Sequence, residues 1–184
     1  GLPMLDQPAS AKAKTQGKSN GPRLDLHQHL ADLEAAGLLV RIDRPINKDT
    51  ELNPLVRWQF IGGVAEEDRR AFLFTNVTDS KGKKYDMPVV VGALASSPEI
   101  YAKGMGCPAN EIGEMWMRAI ANPIAPVLVD SAACHEVVVT GDALKNEGLK
   151  ALPVPVSTPG FDAAPYLTAT LCITKDPESG IQNM

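Results

Sequence analysis

The sequence predicts an α/β protein of the α+β kind, with an N-terminal α/β domain followed by the opening strands of a second, β-rich domain. Three observations carry this reading. From residue 25 a helical pattern, a short apolar strand and a second helical pattern follow one another. Residues 71–74 and 88–92 are compact apolar runs flanked by turn residues, as expected for strands buried in a sheet that helices cover. Beyond residue 126 the texture becomes β-rich and is crossed by prolines at 153, 155 and 159. The expected division is a flexible tail over residues 1–23, a first domain over 24–125 and an incomplete second domain over 126–184.

The tail reading rests on Pro3, Pro8, Gly17, Gly21 and Pro22 among lysines and small polar residues, with too little apolar content to offset the entropy of ordering. It lacks the continuous apolar stretch of a secretory signal. Leu26, Leu30 and Leu33 then fall at helical spacing, with Asp25 placed to cap the first turn and Gly37 to end the helix in a left-handed conformation. Residues 38–42 read as a strand closed by Asp43, Arg44 and Pro45. A second helix is expected over 51–60, capped by Asp49 or Thr50 and stopped by Gly62 and Gly63.

Residues 79–84 are a solvated turn between the two apolar strands. Ser97, Pro98 and Glu99 make a strong helix start: the Ser hydroxyl accepts an orphan N–H, Pro lacks one, and Glu suits the positive end of the dipole. A further helix begins near Asn110, in which Ile112, Met115, Trp116, Ala119 and Ile120 share a face that is expected to be core. Asn122 and Pro123 force its end. Strands are expected over 127–129, 136–140 and 167–174, and the run from Asp176 to Gly180 is a hairpin turn.

Composition narrows the function classes. A chain of 184 residues with 44% hydrophobic and 22% charged residues can bury a core, and its net charge of −4 gives no basic surface for nucleic acid. No apolar stretch approaches the roughly 20 residues of a membrane span. Cys107, Cys134 and Cys172 are odd in number, widely spaced and form no CxxC pair, so a reducing cytoplasm is the expected location.

Few residues stand out as chemistry. The run Gly104-Met105-Gly106 does not open a helix after a strand and fails the Walker and Rossmann fingerprints. His27 and His29 lie two apart on a helix, point to different faces, and are expected at the surface rather than on a metal. Cys134 beside His135 imitates a nucleophile and base, but neighbours on a strand face opposite sides, so one is expected in the core and the other out. Glu111 and Glu114 suit the first turn of a helix. Asn183, just after the hairpin turn, bonds backbone in most such settings; its amide oxygen is equally a hard, neutral ligand for Mg²⁺, Mn²⁺ or K⁺.

Taken in order, LDLHQHLADLEAAGLLVRI (24–42), AFLFTNV (71–77), PVVVGA (88–93), CHEVVVTGD (134–142), LPVP (152–155) and APYLTATLCITKDPESGIQN (164–183) closely resemble the N-terminal part of the UbiD family of decarboxylases. The resemblance implies an N-terminal α/β domain, then a split β-barrel that binds prenylated FMN, and a C-terminal domain that mediates homo-oligomerisation. It places Asn183 as a ligand to Mn²⁺, which with K⁺ anchors the flavin phosphate. Thr168 matches a position lining the flavin, although Thr is also an ordinary strand former. The activity implied is reversible, non-oxidative decarboxylation of an aromatic or α,β-unsaturated carboxylic acid through a covalent flavin adduct that releases CO₂, with a flavin prenyltransferase supplying the cofactor.

The family's catalytic arginine and its acid/base glutamates match no residue within 1–184, so no catalytic residue is expected in this segment. The barrel reads as unfinished, and the chain is expected to be a truncated record, a fragment or a split subunit. The alternative to an enzyme portion is a catalytically silent subunit that completes its barrel with another polypeptide by strand addition. A flavin-dependent redox enzyme on a split barrel is the third reading. Substrate identity, direction of reaction and oligomeric state have no signature in the residues.

Overall fold

The computed structural model describes residues 25–125 and 127–183. The tail expected over 1–23 lies outside the described residues, as do Leu24, Pro126 and Met184.

Helix α1 (Leu26–Ala35) starts where Asp25 accepts the backbone N–H of Gln28 at 2.8 Å. It ends in a Schellman turn: Leu38 N donates to Leu33 O at 2.8 Å and Gly37 N to Glu34 O at 3.0 Å, with Gly37 at φ +70°. Strands β1 (Leu39–Ile42) and β2 (Ile46–Asn47) follow, then α2 (Leu52–Ile61), β3 (Ala71–Phe74), β4 (Val77–Thr78), β5 (Lys84–Tyr85) and β6 (Val89–Val91).

These strands are one three-stranded ribbon broken at a common level. β3 lies between β1 and β6, and β4 lies between β2 and β5. In both halves the first pairing is parallel and the second antiparallel. Pro45 and Pro88 fall at the break, where a missing N–H would be felt in a continuous ladder. Two bonds still cross it, Thr75 N to Ile42 O at 3.1 Å and Ile46 N to Asn76 O at 3.0 Å.

Alternation along β3 supplies two cores. Phe74, with Ile46, Leu52, Val56 and Val77, forms one cluster against α2, joined by Phe72, Val89 and Val91. Ala71, with Leu33, Ala93 and Ile100, forms the other, against α1 and α3 (Pro98–Met105). The register agrees, since Phe72 faces Val91 and Phe74 faces Val89. The first domain is therefore a three-layer α/β/α sandwich.

Several expectations need correction. His29 is buried, not at the surface. Glu51, not Asp49 or Thr50, occupies the N-cap position of α2, and no side chain caps the helix: Glu51 Oε2 instead accepts Asn47 N at 2.8 Å, while the Asp49 carboxylate is taken by Lys48 and the backbone of Ser80. The stop at Gly62 holds, because a Cβ there would lie 2.5 Å from Trp58 O. Ser97 caps α3 as expected, accepting Ile100 N at 3.3 Å. Gly106 terminates α3 at φ +69°, so Gly104-Met105-Gly106 is a helix end. At the end of β6, Gly92 (φ +79°) backs onto Ser96, whose Oγ would lie 2.1 Å from an added Cβ.

Helix α4 (Ile112–Ala121) carries the expected apolar stripe, but it is not core. Ile112 and Met115 are half-buried, while Trp116, Ala119 and Ile120 are exposed. Periodicity reports that a helix has an apolar side, not that a partner meets it. Beyond it come α5 (Gly141–Glu147), β7 (Thr174–Lys175) and β8 (Gln182–Asn183). Residues 127–129, 136–140 and 167–173 do not form strands: β propensity needs a hydrogen-bonded neighbour, and among the described residues these segments have none. Cys134 and His135 lie together in a 3₁₀ turn and are both exposed, which replaces the strand expected there.

Candidate functional site

The residues singled out for chemistry sit at the end of the chain, on a segment that the first domain holds through a strap. Between residues 127 and 183 only position 148 and positions 152–159 are less than fully exposed, and Pro153 is buried. Val156 N donates to Lys48 O at 3.1 Å, and Asn53 Nδ2 reaches Val156 O at 3.4 Å. The Arg57 guanidinium, on α2, donates to Ser157 O at 3.0 Å and to Thr158 Oγ1 at 2.8 Å. Lys83 anchors the entry to the strap through the Glu147 carboxylate and the Lys150 carbonyl, the latter at 3.1 Å.

Polar groups cluster where the strap meets β2, β4 and β5. Lys48 is buried, with Nζ 2.6 Å from Asp49 Oδ1 and 5.9 Å from the Tyr85 ring centre. Burial opposes ionisation of Asp49, but hydrogen bonds from Lys48 and Ser80 N, together with the Lys48 charge, bring its carboxyl below the usual range. The Asp79 carboxyl is held low by the Lys83 and Lys81 backbone N–H groups. Burial raises the Tyr85 phenol, and the Asp79 charge adds to it. The cluster is fully engaged in holding turns and strap together.

The hairpin forms as the sequence predicts. Asp176 accepts Glu178 N at 2.9 Å and the Ser179 hydroxyl at 2.5 Å, and Gly180 (φ +71°) donates to Asp176 O at 2.9 Å. Those donors depress the Asp176 carboxyl, the Ser179 hydroxyl most. The turn brings Asn183 of β8 opposite Thr174 of β7, exposed. Thr168 is also exposed, on the extended segment before β7.

An amide oxygen at Asn183 suits one position in the shell of a hard cation, which takes about six oxygen ligands. Among the described residues no group of three His, Cys, Asp or Glu side chains could hold a metal ion. Glu111 occupies the N-cap position of α4 without a side-chain capping bond, and Glu114 lies in its first turn, pairing with Arg118 at 3.5 Å. Arg57, Asn53 and Lys83 were invisible to sequence reasoning, because their partners lie far along the chain and form no local pattern. No helix among the described residues is long and apolar enough to cross a membrane.

Residues 30–120 match the model of the 3-octaprenyl-4-hydroxybenzoate carboxy-lyase N-terminal domain, and residues 126–184 match that of the Rift-related domain of the same carboxy-lyases. The fold is similar to that of the UbiD-class enzyme HmfF from Pelotomaculum thermopropionicum in complex with FMN. The TM-score is 0.65 and the identity 32%, over 85% of this chain and 32% of that one. An evolved dimeric form of the same enzyme, in complex with prFMN, matches with a TM-score of 0.60 and 29% identity over 85% of this chain and 33% of that one. The chain thus spans about a third of the length of these solved enzymes. Matched by consecutive domains of one family along most of its length, with the α/β/α layers and the Asp176 hairpin in place, this chain belongs to the UbiD family of carboxy-lyases.

Proposed function

We propose that this chain is the N-terminal portion of a prenylated-FMN-dependent decarboxylase that acts reversibly on an aromatic or α,β-unsaturated carboxylic acid. The observation that carries the reading is the likeness over 85% of the chain to a UbiD-class enzyme whose structures hold FMN and prFMN. The first domain is assigned to residues 24–125, and the second, flavin-binding domain starts at 126. Asn183, on its hairpin, would supply one oxygen ligand to Mn²⁺, which with K⁺ would hold the flavin phosphate, and Thr168 would line the flavin.

In this reading the cofactor supplies the electron sink for loss of CO₂. The chain's own contribution is positional: the Asp176 turn sets the register of β7 and β8 and so the place of Asn183. The acid/base groups and the arginine are assigned to sequence that follows, and the complete enzyme is assigned as a homo-oligomer. Support for the division comes from the two family models, which meet between residues 120 and 126.

The test is to produce the full-length protein with a flavin prenyltransferase, add Mn²⁺ and K⁺, and offer a panel of aromatic and acrylic acids. CO₂ release, or exchange of labelled CO₂ into the acid, is expected. Neither activity with any acid, from protein shown to contain the modified flavin, would overturn the proposal.

A further inference from the structure

We propose that Arg57 is a positioning residue: from α2 of the first domain it sets where the segment bearing Thr168 departs. The inference starts from a mismatch between sequence and packing. Residues 152–159 fall within the stretch matched by the second-domain model, yet they are the part of that stretch that packs down, while residues 160–183 are exposed throughout.

Arg57 hydrogen-bonds to both Ser157 and Thr158, and its two acceptors differ in kind. The Ser157 carbonyl fixes the backbone, and the Thr158 hydroxyl fixes the turn that follows. That turn is closed on itself: Phe161 N and Asp162 N donate to Thr158 O at 3.1 and 3.0 Å, and Thr158 N donates to Asp162 Oδ2 at 2.7 Å. The chain then doubles back, and Tyr166 N donates to Pro155 O at 3.1 Å. Two sets of hydrogen bonds therefore frame this loop: Arg57 and Asp162 hold Thr158 at its start, and Pro155 holds Tyr166, two residues from Thr168, at its return. Both bonds from Arg57 leave from Nη2, whose two N–H groups lie in the guanidinium plane and so fix the angle between the two acceptors, which a freely rotating ammonium does not.

That Thr168 lies along a flavin rests on the proposed function. The clasp does not, and its test reads the clasp alone. Amide hydrogen exchange is measured on the full-length protein, wild type and Arg57→Ala. Exchange at Val156 and Tyr166 is expected to accelerate by about tenfold or more, while Ile42 in β1 and Leu73 in β3 keep their protection. Arg57→Lys, which keeps the charge and N–H donors but not their fixed planar geometry, should restore part of the protection at Val156. Exchange at Tyr166 within about twofold of wild type would overturn the proposal, and so would an equal acceleration in β1 and β3, which would mean general loosening. If Arg57→Ala does not fold, Thr158→Val removes the hydroxyl acceptor alone. It should accelerate Tyr166 and spare β3; unchanged exchange there would overturn the proposal.

Discussion

His29 Nε2 lies 2.6 Å from the carbonyl oxygen of Ala93, which ties α1 to the loop after β6 from within the core. A carbonyl only accepts, so Nε2 carries the hydrogen. Nδ1 is buried with no hydrogen-bond partner. Substituting His29→Leu would leave the Ala93 carbonyl without its donor. The expected loss is about 1–3 kcal/mol of folding stability, read from urea unfolding at neutral pH with an unchanged slope. A loss below about 0.5 kcal/mol would show that water reaches the carbonyl instead.

Gln59 makes a two-way bond with one residue: its Nε2 donates to Arg70 O and its Oε1 accepts Arg70 N, both at 2.8 Å. This pairing stands in for a strand neighbour just before β3. Gln59→Leu leaves both backbone groups unpaired in a part-buried setting and should cost about 1–3 kcal/mol. Thermal unfolding of wild type and variant checks the size, and equal midpoints would refute the account.

Stability should fall in acid through Asp49. Its folded carboxyl sits below its unfolded value, so the contribution is present above about pH 4 and is lost as pH falls through the lower folded value. Asp79 acts in the same direction. Unfolding midpoints measured from pH 6 down to pH 2 should drop more steeply for wild type than for Asp49→Asn. Parallel curves would show that Asp49 is not a source of the acid sensitivity.

Metal retention tests the assignment of Asn183. In the full-length protein, Asn183→Ala should retain Mn²⁺ at least about tenfold more weakly than wild type, whereas Asn183→Asp, which keeps an oxygen ligand, should retain it. Metal content after gel filtration is the readout. Equal Mn²⁺ in wild type and the alanine variant would remove Asn183 from the ligand set.

Much of the first domain was legible because its signals are local. Asp25, Gly37 and Ser97 act on backbone within a turn of themselves, and the apolar runs at 71–74 and 89–91 are strands whatever covers them. The misreadings share one cause, which is dependence on a distant partner. His29 looked like a surface residue because its acceptor is 64 positions away. The α4 stripe looked like core because only tertiary context says what meets it, and the β-rich runs after 126 have side chains suited to a sheet without a ladder to join. At the candidate site, the hairpin around Asp176 was readable from its turn chemistry. The setting of Thr168 was not, since it passes through Arg57.

The close approach of Gly92 to Ser96 has a genetic consequence. Every amino acid reached from a glycine codon by a single-base missense change carries a Cβ, and at this position that atom would fall 2.1 Å from a short, buried serine side chain on a backbone of φ +79°. Variation at position 92 should therefore be narrow: synonymous changes pass, and single-step replacements are selected against, since the positive φ strains any side chain even where the Ser96 hydroxyl turns away.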